Sequence, residues 1–568
     1  MPELPEPELP APEPPDPELL RRIPLSARTV LQVGCTSGDL AAAYRRMNPK
    51  VRLLGLVADA EAANALAPFF DQITVAGPTD QPLSLDQRLD CIIYDHCLEH
   101  MADPLKLLHR HAEALSADGM MLIKVVNAEH WRHAARLLGA STADNPAAML
   151  TPPPPPLFTL DRLREALLSL GLNLCDVTLE ETASEEADGF VRALAPALEA
   201  LGVNPADYAA RATTAYYIWR VRKTAGERII VSGSMLDPIG GVSHVRVVHP
   251  LAAIGTNPLT KVAVLERIGA TPPEDETPRI FVLHRPALIS EAGTALLRAL
   301  RIAGYLLVTE FDDHPDHFNM MQHGGELSFR GVHALQTSTP TLARVLRKYN
   351  PEIAVFPNAI ATLPEIHNFR DPDKMTLFFG ALNREHCWQP LMDVLNTVAR
   401  MAGPRLRFQV VHDKLFFEAL DTPHKAFMPT CDYETYLHLL GASEFCFMPL
   451  SDTPFNRAKS DLKYIECGAC RVTPVASTVV YGDSIQHDRT GLLFRDETEL
   501  YNSLLRLLAT PDTARVLADA GRKYVEQNRM LAYQVEPRLA WYRSLWKRRA
   551  ELTAALDARM ASDFSAAA

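Results

Sequence analysis

The sequence predicts an α/β protein whose sheets are parallel. Short β-branched runs such as "TVLQVGC", "VRLLGLVA" and "LDCIIYD" alternate with stretches at helical spacing. Glycine-bearing turns follow several of these runs, notably at Gly34, Gly38, Gly240 and Gly241. The order strand, turn, helix starts afresh near Glu227 and again near Met375. Strands joined by helices require right-handed crossovers within a parallel sheet, so the chain reads as three successive Rossmann-like units.

Length and composition agree with that count. At 568 residues the chain exceeds what one core can hold. Hydrophobic residues make up 47% and charged residues 22%, as in an ordinary globular protein. A formal charge of −12 argues against a general nucleic-acid binder, which needs a basic face. The nine cysteines are scattered, mostly in apolar surroundings, and read as reduced thiols of a cytoplasmic protein. Cys467-Gly-Ala-Cys470 has no second pair or histidine cluster, so it is read as packing and not as a zinc site. No stretch reaches the ~18 consecutive apolar residues of a membrane helix.

Taken in order, residues 1–22 are an acidic, proline-rich segment, expected to be a disordered tail. It has neither the basic start nor the apolar centre of a signal peptide. Residues 23–225 form a first domain, interrupted by a polyproline loop at Pro152–Pro156 and ended by the strand "AYYIWRVRK". Residues 226–365 open with "ERIIVSGSMLDPIGGVSHVRVV", a strand, a glycine loop and a helix. Residues 366–568 restart with "MTLFFGALNREH", continue through "RFQVVHD", "FCFMPLS" and "VTPVAS", and end in helices. The last of these carries Lys547, Arg548 and Arg549 and is read as a closing helix packed across the lobes, with peripheral membrane contact as the alternative.

"VLQVGCTSGDLAAAY", "IIYDHCLEHMADPLKLL" and "LFTLDRLREALLSLGL" resemble class I S-adenosylmethionine-dependent methyltransferases. The resemblance implies cofactor binding by Gly34, Gly38, Asp59 and Asp95. The chain departs from the family where prolines replace the stretch before "LFTL", and in its first two strands and their turn. Its middle glycine is Thr36, the acid or amide of the first strand is Gln32, and the ribose-binding acid is Val57, with Asp59 two residues on. The domain is therefore read as a degenerate methyltransferase.

The segment "FNRAKSDLKYIECGACRVTPVAS" sets Lys459, Lys463 and Glu466 just before an apolar strand. A helix beginning near Ser460, capped by it, places Lys459 at its mouth, Lys463 one turn in and Glu466 further along the same face. Such a mouth suits an anion. With "DPIGGVSHVRVVHPL", "VTEFDDHPD" and "VHALQTSTPTLARVL…IAVFPNAI", this stretch makes residues from about 226 to 545 resemble a GT-B glycosyltransferase of the bacterial polysaccharide type. The resemblance implies two Rossmann-like lobes and a nucleotide-sugar donor, with Arg384, Lys459 and Lys463 stabilising the departing diphosphate. It adds Gly240, Gly241, Asn383, Ser460 and Glu466 as donor-binding residues, Glu466 on the ribose. His244 and Arg246 follow the glycine loop as acceptor or phosphate candidates.

Many retaining members carry two glutamates here. The second matches Glu466, but the first position is Ala458, so Asn456 or Asp452 is expected to meet the sugar. Asp312 and Asp313 are read as bracing a loop and no metal is expected. The function expected is glycosyl transfer, retaining, to a glycan or protein acceptor in surface polysaccharide or glycoconjugate synthesis. Two alternatives stand beside it: a bifunctional methyltransferase and glycosyltransferase, or a non-catalytic scaffold in a glycosylation assembly.

Overall fold

A computed structural model describes residues 15–75, 88–101, 103–138, 158–181, 184–234, 241–265, 271–371 and 373–566. Gly240, the polyproline stretch and residues 1–14 lie outside the described residues, whereas Pro17–Leu20, expected to belong to a disordered tail, is a helix capped by Asp16 with Leu19 buried. The chain divides into two compact units. Lys50–Glu227 makes up most of the first, and Arg228–Gly255 with Thr260–Ala568 most of the second.

The first unit carries seven strands: β1 Thr29–Val33, β2 Arg52–Val57, β3 Gln72–Val75, β4 Leu89–Asp95, β5 Leu115–Val126, β6 Asn173–Glu181 and β7 Thr214–Arg222. Their order is β3-β2-β1-β4-β5-β7-β6. Every residue of β1 is buried, as expected of a central parallel strand covered on both faces. The alternation of strands and helices predicts a wholly parallel sheet, yet β7 runs antiparallel to both β5 and β6. Mixed sheets of this size are common. Here the antiparallel strand is internal, β7 entering between β5 and β6.

The second unit holds two sheets of six strands. In its first lobe these are β8 Ile229–Ser234, β9 Thr260–Val264, β10 Arg279–His284, β11 Leu306–Glu310, β12 Ala334–Thr337 and β13 Ile353–Val355. They are ordered β13-β12-β11-β10-β8-β9 and are parallel. The second lobe has β14 Met375–Gly380, β15 Leu406–Val411, β16 Lys425–Met428, β17 Phe445–Met448, β18 Thr473–Ser477 and β19 Leu492–Phe494. Their order, β16-β15-β14-β17-β18-β19, is that of a doubly wound Rossmann sheet. Each lobe has its own core, around Phe281, Leu307 and Leu335 in the first and Phe379, Phe408 and Phe447 in the second.

Two features tie the lobes. The helices Val535–Lys547 and Arg549–Ala566 return to the first lobe, where Tyr542 donates to Gln336 at 2.9 Å and Arg559 to the Val332 carbonyl at 2.7 Å. Arg548 is occupied by Glu352 at 2.9 Å. Ala458, in the second lobe's motif, is 1% exposed and joins the first lobe's core. An apolar residue is what that position holds, which accounts for the missing glutamate.

Candidate functional site

In doubly wound sheets a ligand crevice opens at the carboxyl ends of the strands where the order reverses. In the second lobe the reversal lies between β14 and β17, and in the first between β8 and β10. Asn383 and Arg384 follow β14, and the segment 452–469 follows β17. Gly241 follows β8, and Arg285 follows β10. Asn383, Arg285 and His412 hold φ of 53°, 44° and 73°, a left-handed conformation unusual for residues with a Cβ. Such strain gathers where loops are held for function.

The motif helix spans Leu462–Ala469, with Asp461 at its N-cap. It begins two residues later than the sequence suggests, and Ser460 does not cap it. The Ser460 hydroxyl accepts instead from the Asn358 amide at 2.7 Å. Asp461 makes no side-chain cap bond either. Its φ and ψ of −84° and 24° are unlike the extended cap conformation. Its carboxylate is taken by Arg529, at 2.5 and 2.8 Å, and by the Ser484 hydroxyl at 2.6 Å. Burial works to raise the Asp461 carboxyl, and the Arg529 guanidinium carries it below the ordinary value. A buried aspartate beside the helix mouth is thus neutralised and turned away from it.

The basic groups are each lightly occupied. Lys459 pairs with Asp313 of the first lobe at 3.3 Å and lies 4.1 Å from the Phe455 ring centre. Burial, with Arg384 and Arg285 nearby, holds its ammonium below the ordinary lysine range. Arg384 donates to the Asn456 side-chain oxygen at 3.2 Å. Lys463 donates to the Gly380 carbonyl and, at 3.3 Å, to the Tyr436 hydroxyl. Arg285 grips Asp312 at 2.6 Å, which pushes that carboxyl far down despite its burial. Asp312 and Asp313 are therefore counter-charges. Among the described residues no group of His, Cys, Asp or Glu is placed to hold a metal ion.

Glu466 is 3% exposed and accepts from the Tyr433 hydroxyl at 3.0 Å. Burial pushes its carboxyl up to about 7, against the pull of Lys463 and Tyr433. The Tyr433 ring stacks on His244 at 5.7 Å and on Tyr436 at 6.3 Å. A Cβ on Gly241 would fall 2.5 Å from that ring, so only glycine lets the first lobe's loop lie against it. Gly241 thus meets Tyr433, a residue that no motif singles out.

Three sequence expectations are corrected. Arg246 is no phosphate ligand: it is buried and pairs fork to fork with Glu310 at 3.0 Å. Asn456 does not face a sugar. It is fully buried, holding Arg384 while its amide nitrogen donates to the Ser451 carbonyl at 2.9 Å. Asp452 is an exposed partner of Arg457 at 2.5 Å.

In the first unit, the cofactor that the resemblance implies would meet Gly34, Gly38, Asp59 and Asp95. Gly34, at φ 69°, turns against Cys97, whose Cβ lies 2.6 Å from where its own Cβ would be. Gly38 is covered by the Phe69 ring, 2.1 Å from such an atom. Asp59 caps the helix Ala60–Leu66, accepting from the Ala62 amide at 2.9 Å. Val57, at the ribose-acid position, is buried at the end of β2. Asp95 is raised by burial and lies 3.8 Å from His96. Beside it in the sheet, Lys124 is consumed by Asp16 and, at 3.0 Å, Glu180. The glycines meet protein side chains and, of the two candidate acids, Asp59 is engaged as a helix cap, so these residues do not form the open cradle that the resemblance implies for S-adenosylmethionine.

Residues 10–177 match the family model of a methyltransferase domain. No curated protein sequence matches the chain. Among solved structures, HepE of Anabaena, in complex with UDP-glucose, is similar at 12% identity with a TM-score of 0.42, covering 55% of this chain and 100% of that one. Sucrose-phosphate synthase of Thermosynechococcus elongatus is similar at 16% identity and a TM-score of 0.39, covering 56% and 100%. A TarM mutant of S. aureus, bound to fondaparinux, alpha-GlcNAc-glycerol and UDP, is similar at 11% identity and a TM-score of 0.36, covering 46% of this chain. The chain spans only 55% of that TarM chain. Among the described residues no helix is long and apolar enough to cross a membrane.

Proposed function

We propose that the second unit is a glycosyltransferase that moves a sugar from a nucleoside-diphosphate donor to a hydroxyl of a glycan or protein acceptor. One observation carries this reading. Arg384, Lys459 and Lys463 gather at a switch-point crevice, around a helix mouth whose own aspartate is turned away to Arg529. Cations beside uncapped backbone amides suit a diphosphate.

In the reaction, the bond between the anomeric carbon and the β-phosphate oxygen breaks, and its electron pair goes to that oxygen. The acceptor hydroxyl oxygen forms the new bond and passes its proton to the departing diphosphate oxygen. Negative charge grows on the diphosphate, and the three cations stabilise it. Lys459 exchanges Asp313 for phosphate oxygens. A ribose hydroxyl takes the place of the Tyr433 hydroxyl on Glu466. Surface polysaccharide or glycoconjugate synthesis in the cytoplasm is the setting we propose, and retention of configuration the outcome to be read from the product by NMR.

Calorimetry of the full chain with UDP, GDP, ADP and dTDP tests the reading. One nucleotide is expected to bind, and Lys463→Ala to weaken it about tenfold or more with little change in melting temperature. Binding of none of the four, or equal binding by the variant, would overturn it.

A further inference from the structure

Asn358 lies three residues beyond β13, where the chain passes from the first lobe to the second, and is 3% exposed. Its side-chain oxygen accepts from Arg246 at 2.8 Å, and its amide nitrogen donates to the Ser460 hydroxyl at 2.7 Å. Its backbone carbonyl accepts from Arg529 at 3.0 Å, the arginine that clamps Asp461. One linker residue thus fixes two consecutive motif residues, Ser460 through its side chain and Asp461 through Arg529.

The orientation of the amide is not a free choice. A guanidinium only donates, so the oxygen of Asn358 must face Arg246. Arg246 cannot shift to accommodate the reverse, because Glu310 holds it from the other side and Gln336 holds Glu310 at 2.8 Å. The NH2 group is left toward Ser460, and an NH2 group can only donate. The Ser460 oxygen therefore accepts, and its proton must point elsewhere. Among the described residues no acceptor takes that proton. Ser460 sits between Lys459 and Asp461, at the edge of the site described above.

We propose that Asn358 is a positioning residue that turns the Ser460 hydroxyl into a hydrogen-bond donor for a phosphate oxygen of the donor. The inference rests on the glycosyltransferase reading and adds to it a neutral donor beside the three cations. It also gives the Ser460 hydroxyl a task other than the helix cap expected of it.

An isosteric change separates this role from packing. Asn358→Asp keeps the shape and the bond to Arg246, but its carboxylate accepts the Ser460 proton and withdraws it from the ligand. Ser460→Ala removes the hydroxyl outright. Each variant is expected to lose about tenfold in affinity for the nucleoside diphosphate selected from UDP, GDP, ADP and dTDP, as for a hydrogen bond to a charged group. The double variant should lose no more than either single one. Affinity for the corresponding nucleoside, which has no phosphate, should not change.

Wild-type affinity in Asn358→Asp overturns the inference and leaves the glycosyltransferase reading standing. Additive losses in the double variant also overturn it, because they would mean that the new charge acts without the hydroxyl. An equal loss for the nucleoside would show a packing role. If the wild type binds none of the four nucleotides, the donor reading fails and the hydroxyl's assignment falls with it.

Discussion

At 3% exposure the Glu466 carboxyl faces Tyr433, Tyr436 and Lys463, and burial raises it from the ordinary 4.5 to about 7. A carboxyl raised on folding favours the folded state fully below pH 4.5, where both states are protonated. That contribution is lost as pH rises through 7, because the folded state then ionises against its burial. The expected cost above pH 7 is about 3 kcal/mol. Urea unfolding of wild type and Glu466→Gln between pH 4 and 8 checks it: the difference should grow in favour of the variant across that window and flatten above it. A constant difference would mean that folding does not shift the titration of Glu466. The sequence marked Lys459, Lys463 and Glu466 because their spacing lies within one helix. Their partners were not legible, since Tyr433, Asp313 and Gly380 come from 33, 146 and 83 residues away. Nor does any local pattern show that an aspartate in a cap position is claimed by an arginine 68 residues on.

Among elements, the motif helix owes its position to a crossing with the helix Pro511–Asn528. A Cβ on Gly468 would fall 2.7 Å from a Val525 methyl and 2.9 Å from the Gly521 carbonyl oxygen. The backbones approach this closely because glycine stands on both sides. Gly468→Ala must push the helices apart, and we expect it to cost about 1–3 kcal/mol, as overpacking of a tight core does. The shift carries Lys463 with it, so nucleotide affinity should fall as well. Urea denaturation and calorimetry on the same variant check both, and a neutral result would show that the crossing has slack. Gly468 was readable as a packing residue because it follows the charged face and precedes a strand. The start of the helix was misread by two residues, since a serine followed by an aspartate looks like a cap until tertiary partners claim both side chains. The antiparallel β7 was missed for a related reason: "AYYIWRVRK" has the pattern of a strand, but nothing local fixes its direction.

On the scale of the whole molecule, the two units differ in what they place at the carboxyl ends of their strands. The second retains its glycine-to-tyrosine approach, its cations and its turned-away aspartate at the switch points of both sheets. The first keeps the sheet and the match over residues 10–177, but Val57 and Asp59 leave no free acid at the end of β2, and Phe69 lies on Gly38. This contrast was partly legible, because Thr36 and Val57 stand out against the family's pattern; the covering of Gly38 by Phe69 was not, since it depends on a turn 31 positions on. A thermal-shift experiment on the full chain follows from it. A nucleoside diphosphate at about a hundred times its dissociation constant should stabilise the unit that binds it by about 2.7 kcal/mol. S-adenosylmethionine and S-adenosylhomocysteine should produce no shift at any concentration tested. A saturable shift with either would mean that Phe69 gives way and Asp59 leaves its cap for a ribose, and Phe69→Ala, which uncovers Gly38, should then strengthen it. If Phe69→Ala gains no such shift, the loss of the ribose acid is by itself enough to exclude the cofactor.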